Sequence, residues 1–248
     1  MTFFRFSFLL SRLFFPPKCV ACGERLPTAH PNGVLCDFCH EQYENEKEAS
    51  CPVCAARLSF CLCLPSDLPK TRARRMVKIT RYRPSSEDVS AKIIYALKHR
   101  RLIDLQRFVA SEFVSALTPL MKSREEWLVS FPPRGNESLR RDGFDHAAAV
   151  AKYLGQALGI PCAPCLVHER QTVAQKKLSR TARIAAANAG YTLRKGVSVV
   201  GKRVILFDDI CTSGATMTAC ARLLYKAGAK EVVFAALAIT PQKHTAHF

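Results

Sequence analysis

The chain has 248 residues, a length that fits one or two domains. Its 48% apolar and 23% charged residues exclude a disordered, collagen-like or polytopic membrane chain. The 37 Lys and Arg against 20 Asp and Glu leave a formal charge of +17, which suits anionic partners such as phosphorylated metabolites, nucleic acid or acidic lipid.

The N-terminal apolar segment covers residues 1–18. Phe and Leu dominate residues 1–15, broken by Arg5, Ser7, Ser11 and Arg12. The stretch is too short to span a bilayer. Arg12 interrupts the apolar run that a signal peptide needs, and Phe14-Phe15-Pro16-Pro17 is a poor cleavage site. A short helix packed on the body of the protein is expected. The alternative is a peripheral contact with a membrane surface or a partner.

Twelve cysteines follow, eight of them between Cys19 and Cys63. The first four read Cys19-x2-Cys22-x13-Cys36-x2-Cys39, and the next four Cys51-x2-Cys54-x6-Cys61-x-Cys63. A CxxC turn presents two sulfurs on one side, and two such turns close a tetrahedral zinc site. Residues 19–65 are therefore expected to form a double zinc ribbon holding one or two structural zinc ions. Interleaved pairing of Cys19/Cys22 with Cys51/Cys54 is a second arrangement that the spacing permits. Four thiolates fill the zinc sphere, so the module is structural or partner-binding rather than catalytic. Paired thiols at the head of a long chain point to a reducing, cytoplasmic compartment.

Residues 66–75 read as a polar, basic linker. The remainder, 76–248, alternates strand-like and helix-like stretches, the pattern of an α/β fold with a parallel sheet flanked by helices. The pattern predicts helices over 89–98 and 102–117, and a buried strand over 127–131. A loop is expected over 132–144. A helix capped by Asp145 should run to Leu158 and stop at Gly159. A brief strand over 165–168 leads into a basic, polar stretch reaching residue 195. Then come a buried strand over 203–207, a helix over 214–227 and a last strand over 231–240.

The most informative stretch is Val204-Ile205-Leu206-Phe207-Asp208-Asp209-Ile210-Cys211-Thr212-Ser213-Gly214-Ala215-Thr216. An apolar strand runs into two carboxylates, then a small-residue loop, then a helix start. A helix N-terminus in that layout receives a phosphate. Thr212, Ser213 and Thr216 supply hydroxyls, and Gly214 lets the backbone approach the ligand. Two carboxylates would repel a phosphate but can accept hydrogen bonds from the vicinal hydroxyls of a ribose. The loop thus fits a sugar with a phosphate on one end. Absence of GxxxxGK[ST] and of GxGxxG excludes a P-loop nucleotidase and leaves dinucleotide binding without support.

These thirteen residues resemble the signature of the type I phosphoribosyltransferases, which bind 5-phosphoribosyl-1-pyrophosphate (PRPP). Combined with the Cys-rich start, the chain resembles the ComF (GntX-type) family of competence-associated, phosphoribosyltransferase-like proteins. The resemblance also covers Phe15-Pro16-Pro17-Lys18-Cys19, Tyr82, Ala96-Leu97-Lys98, Arg141-Asp142-Gly143-Phe144-Asp145-His146, and Gln175 to Arg183. Two departures stand out in the first loop: the family often reads Arg-Gly-Phe-Asn, whereas this chain inserts Asp142 and replaces the amide with Asp145.

The resemblance implies a PRPP-dependent glycosyltransferase fold and specific roles. Asp208 and Asp209 would hold the ribose hydroxyls and act in catalysis, and Thr212, Ser213, Gly214, Ala215 and Thr216 would cradle the 5′-phosphate. Arg134, Arg141, Lys176, Lys177 and Arg183 would serve the pyrophosphate or a hood over it, with Mg²⁺ bound alongside PRPP. The implied reaction is transfer of the phosphoribosyl group to a nitrogen acceptor that the sequence does not identify. The alternative is a non-catalytic competence or DNA-uptake factor that contacts single-stranded DNA or a protein of the competence machinery. In that setting residues 1–15 would lie at the inner face of the membrane.

Overall fold

The computed structural model describes residues 16–27, 30, 33–65, 68–83, 87–168 and 190–240. The strands in chain order are β1 Arg75–Arg81, β2 Trp127–Ser130, β3 Leu166–His168, β4 Tyr191–Leu193, β5 Arg203–Cys211 and β6 Glu231–Ile239. Among the described residues, four of them form one parallel sheet in the order β1-β6-β5-β2. Strands β3 and β4 pair antiparallel as a separate ribbon. Parallel strands buried on both faces read as continuous apolar runs, which is what Val204–Phe207 and Val232–Ile239 are.

Alternation along the strands sorts the core into two layers. Ile205 and Phe207 of β5, with Val233 and Ala235 of β6, face one side. Helices α2 (Val89–His99), α3 (Ile103–Ser111) and α6 (His146–Leu158) supply the apolar residues packed there. Val204, Leu206, Val232 and Phe234 face the other side, against α7 (Ala215–Lys226). Fully buried Phe113, Trp127, Phe207 and Phe234 each contribute about 1.5–3 kcal/mol by leaving water. Phe113 and Phe207 meet edge to face at 5.4 Å.

The Cys-rich segment is joined to both layers. Cys19, Cys36, Cys39 and Tyr43 belong to the first core, and Cys51, Leu58 and Cys61 to the second. Its helix α1 (Asp37–Lys47) docks by polar contacts. Glu46 accepts hydrogen bonds from the Val89 and Ser90 amides at 2.6 and 2.9 Å, satisfying the open N-terminus of α2. Lys47 pairs with Glu112 at 2.8 Å.

The structure departs from the sequence reading in several places. Strand β1 was not expected, because Arg75, Lys78 and Arg81 interrupt its apolar residues. The 102–117 helix is two, α3 and a short α4 (Val114–Leu117). The 132–144 loop contains a helical turn pair, α5 (Asn136–Asp142), too short and polar to show an apolar period. Strand β5 continues through both carboxylates to Cys211 rather than stopping at Phe207. The helix 146–158 agrees with expectation: Asp145 caps it through the Ala148 amide at 3.0 Å, and Gly159 ends it with φ +67°. No described helix is long and apolar enough to cross a membrane. Residues 1–15 lie outside the described residues.

Candidate functional site

The eight cysteines separate into two groups of four. Cys19, Cys22, Cys36 and Cys39 form one, and Cys51, Cys54, Cys61 and Cys63 the other, with sulfurs within 4.8 Å of one another in each. This is sequential pairing, not the interleaved arrangement. Four convergent thiols are the donor set of a closed structural zinc site. The second group has an added cation. Lys78, at the centre of β1 and 1% exposed, places its ammonium 3.3 Å from Cys61 Sγ, 3.1 Å from the Cys61 carbonyl and 2.8 Å from the Cys63 carbonyl. A buried ammonium needs such partners. Within this group the Cys61 and Cys54 sulfurs and burial push the Cys63 thiol up to about 12.

The loop after β5 forms the second feature. Gly214 precedes α7 with φ +64°, a conformation that costs most residues about 1–2 kcal/mol. A Cβ there would also lie 2.1 Å from Leu68 Cδ2, so a side chain at this position would push the Leu68 side chain aside. Thr212, Ser213, Ala215 and Thr216 line a small cavity of about 40 Å³ at the start of α7. Helix first-turn N–H groups have no partner within the helix, which makes this end receptive to an anion.

A larger cavity of about 260 Å³ adjoins it, sharing Asp208 and Thr216. Its walls include Arg134 from the loop after β2, Ser138 of α5, and His168 and Tyr191 from the ends of β3 and β4. The His168 and Tyr191 rings meet edge to face at 5.0 Å. Burial and the neighbouring Cys220 and Asp208 push the Tyr191 hydroxyl up to about 12, offset in part by a bond with Thr216.

The two carboxylates diverge. Asp208 shares its strand face with Val204 and Leu206 and lines both cavities. Burial and the adjacent Asp209 charge hold its carboxyl well above the usual carboxylate range. Asp209 shares its face with Ile205 and Phe207 and points into the helical layer. Its Oδ2 lies 3.1 Å from Lys98 Nζ and 3.1 Å from His146 Nε2. Burial alone would raise its carboxyl, but the contacts with His146 and Lys98 hold it well below the usual range.

Arg134 therefore meets the expected cavity, whereas Arg141 is 70% exposed and pairs with Asp142 at 2.9 Å. Asp142 also binds Arg134 at 2.7 Å, and the two guanidiniums, Arg141 first, hold its carboxyl down to about 2. Both departures from the family pattern thus have local work: Asp142 grips Arg134, and Asp145 caps α6. Lys176, Lys177 and Arg183 lie outside the described residues. The sequence reading assigned no role to Lys98, His146, His168, Tyr191 or Lys78. Lys98 had one signal, its place one turn beyond Ile94 at the edge of the α2 apolar stripe.

The comparisons with known proteins agree with this geometry. Residues 139–247 match the phosphoribosyl transferase domain. Competence protein ComFC of Streptococcus pneumoniae is 23% identical over 225 residues, covering 87% of this chain and 96% of that protein. Over most of its length the chain is thus similar to the ComFC and YhgH proteins. Two more relatives are matched over at least 80% of both chains. DNA utilization protein YhgH of Escherichia coli (strain K12) is 25% identical, covering 88% of this chain and 94% of its own length. Competence protein ComFC of Bacillus subtilis is 25% identical, with 80% of each chain covered.

Proposed function

We propose that this protein is of the ComF type, binds PRPP with Mg²⁺ in the paired cavities and transfers its phosphoribosyl group to a nitrogen acceptor. One observation carries the reading: Asp208 and Thr216 belong to both cavities, so an anion-receiving helix start and a cation-bearing pocket meet at one carboxylate. The 5′-phosphate occupies the 212–216 loop, held by backbone N–H groups and the Thr212, Ser213 and Thr216 hydroxyls. Asp208 accepts hydrogen bonds from the ribose hydroxyls. The diphosphate end lies toward Arg134. Asp209 acts from behind, through Lys98 and His146.

The acceptor nitrogen forms a bond to C1 of the ribose as the C1–O bond breaks. Pyrophosphate leaves with the electron pair, and the nitrogen gives up its proton. Charge grows on the departing diphosphate, where a fixed guanidinium is most effective. Mg²⁺ would supply further charge neutralisation on the diphosphate, and Asp208, which lines both cavities, is the carboxylate that would help hold it. His168 and Tyr191, which flank residues 169–189 in the sequence, both line the cavity wall, and Lys176, Lys177 and Arg183 are the cations proposed to serve the diphosphate.

Calorimetric titration with PRPP and Mg²⁺ tests the reading. Binding in the wild type that falls at least tenfold in Asp208→Asn supports it. No heat at millimolar PRPP overturns it.

A second reading has its own observation. A groove of about 440 Å³ brings Tyr82, Lys92, Tyr95 and Arg100 together. Tyr95 is 63% exposed and lies 4.5 Å from the His99 ring. Exposed aromatics among cations suit single-stranded DNA, and the relatives' names concern competence and DNA utilization. Affinity for an oligonucleotide that falls steeply with salt, drops in Tyr95→Ala and is indifferent to Asp208→Asn is the expected signature of this non-catalytic use.

A further inference from the structure

Asp209, on the far face of β5 from the cavities, is the start of a chain of polar contacts that returns to them. Its Oδ2 is 3.1 Å from Nε2 of His146, the first residue of α6. The other ring nitrogen, Nδ1, is 3.2 Å from Arg134 Nη1. A guanidinium can only donate, so Nδ1 must accept. The ring hydrogen then sits on Nε2, the nitrogen that faces Asp209 Oδ2 at 3.1 Å. The Arg134 contact thus sets the tautomer.

Arg134 is held from a second direction. Its Nη2 lies 2.7 Å from Asp142 Oδ2, a carboxylate on a side chain 3% exposed. Its backbone amide faces Asp145 Oδ2 at 3.4 Å. Arg134 nevertheless lines the 260 Å³ cavity with Asp208. A long, rotamer-rich side chain is thus ordered before any ligand arrives, clamped by an imidazole on one amino group and a carboxylate on the other.

We propose that His146 is a positioning residue of the phosphoribosyl site, holding the Arg134 guanidinium on the cavity wall to receive the diphosphate end of PRPP, with Asp142 as the second clamp. This rests on the PRPP reading above. His146 does not touch the ligand. It carries the Asp209 contact through to Arg134, so the side chain need not be immobilised at the moment of binding. The role has a specific consequence: it concerns the diphosphate and not the 5′-phosphate, which the 212–216 loop holds.

The experiment compares two probes on the full-length, zinc-loaded protein: PRPP with Mg²⁺, and ribose 5-phosphate, which lacks the diphosphate. His146→Ala is expected to weaken PRPP binding about tenfold, the cost of ordering one such side chain together with the loss of a held charge. Ribose 5-phosphate affinity should stay within about twofold, because its contacts are untouched. His146→Gln should restore PRPP binding, since its amide can donate to Asp209 and accept from Arg134. Unchanged PRPP affinity in His146→Ala, equal weakening of both probes, or a Gln variant no better than Ala overturns the proposal and leaves the PRPP reading standing. A wild type that binds neither probe overturns both. Should His146→Ala fail to fold, Asp142→Ala removes the other clamp from outside the core. Selective loss of PRPP affinity there supports the clamp, and unaltered selectivity refutes it.

Discussion

Replacing Lys78 by Met should weaken metal binding at the second Cys₄ group and leave the first alone. The substitution keeps most of the apolar stem that fills the centre of β1 and removes only the ammonium. That ammonium is 1% exposed and makes three contacts, to Cys61 Sγ at 3.3 Å and to the Cys61 and Cys63 carbonyls at 3.1 and 2.8 Å. A hydrogen bond to a charged sulfur is worth about 1.5–3 kcal/mol. At about 1.4 kcal/mol per tenfold, its loss lowers affinity roughly 10- to 150-fold. Removal of an outer partner of a metal ligand typically costs about 10- to 100-fold, the same range by an independent route. A chelator competition followed with a metallochromic dye reads both sites in one protein. In Lys78→Met one zinc equivalent should leave at about 10- to 100-fold lower chelator, while the other, bound by Cys19, Cys22, Cys36 and Cys39, keeps its place. Lys78→Arg preserves the charge and should recover much of the loss. Two unshifted equivalents would mean that Lys78 only packs. Two that shift together would mean that the whole fold, not one site, was weakened.

Asp208→Asn and Asp209→Asn should separate cleanly in urea unfolding. Asp208→Asn removes a carboxyl already disfavoured as an anion and should hold or raise stability, whereas Asp209→Asn strands Lys98 and His146 and should cost about 3 kcal/mol; the reverse order would refute the facing assigned to each. Gly214→Ala should lose about 1–2 kcal/mol for its positive φ and more for the Leu68 contact. Adding Leu68→Ala should return only the steric part, so a strictly additive double mutant counts against the clash. The Asp142 carboxyl titrates near 2 in the folded protein, against about 3.9 when unfolded. A depressed folded value stabilises above the unfolded one and is lost as pH falls through the folded one. The stability gap between wild type and Asp142→Asn should therefore be full at pH 5 and close as pH approaches 2; a gap that is flat across that window would refute the Arg134–Asp142 pairing.

Much of the site follows from local sequence. The loop chemistry of Thr212 to Thr216 depends on neighbours along the chain, and so does the capping of α6 by Asp145. The spacing of Cys19, Cys22, Cys36 and Cys39 likewise names one complete ligand set. Even the divergence of Asp208 and Asp209 is implicit in the two-residue period of a strand, once the strand is known to run through them. That last condition was not legible: the sequence reading ended β5 at Phe207 and put both carboxylates on the ribose. Strand β1 was hidden for a related reason. Lys78 reads as a surface charge until the second Cys₄ group is brought over it.

Local pattern and spacing determine what a segment can form and which atoms it offers. Only the folded chain determines which atoms meet. Lys98, His146 and Asp209 come from three elements far apart in sequence, and their contact exists because α2 and α6 pack on one face of β5. The choice between sequential and interleaved cysteine pairing has the same origin. Both satisfy the valence of zinc, and the packing of Cys51 to Cys63 against β1, around the Lys78 ammonium, selects one.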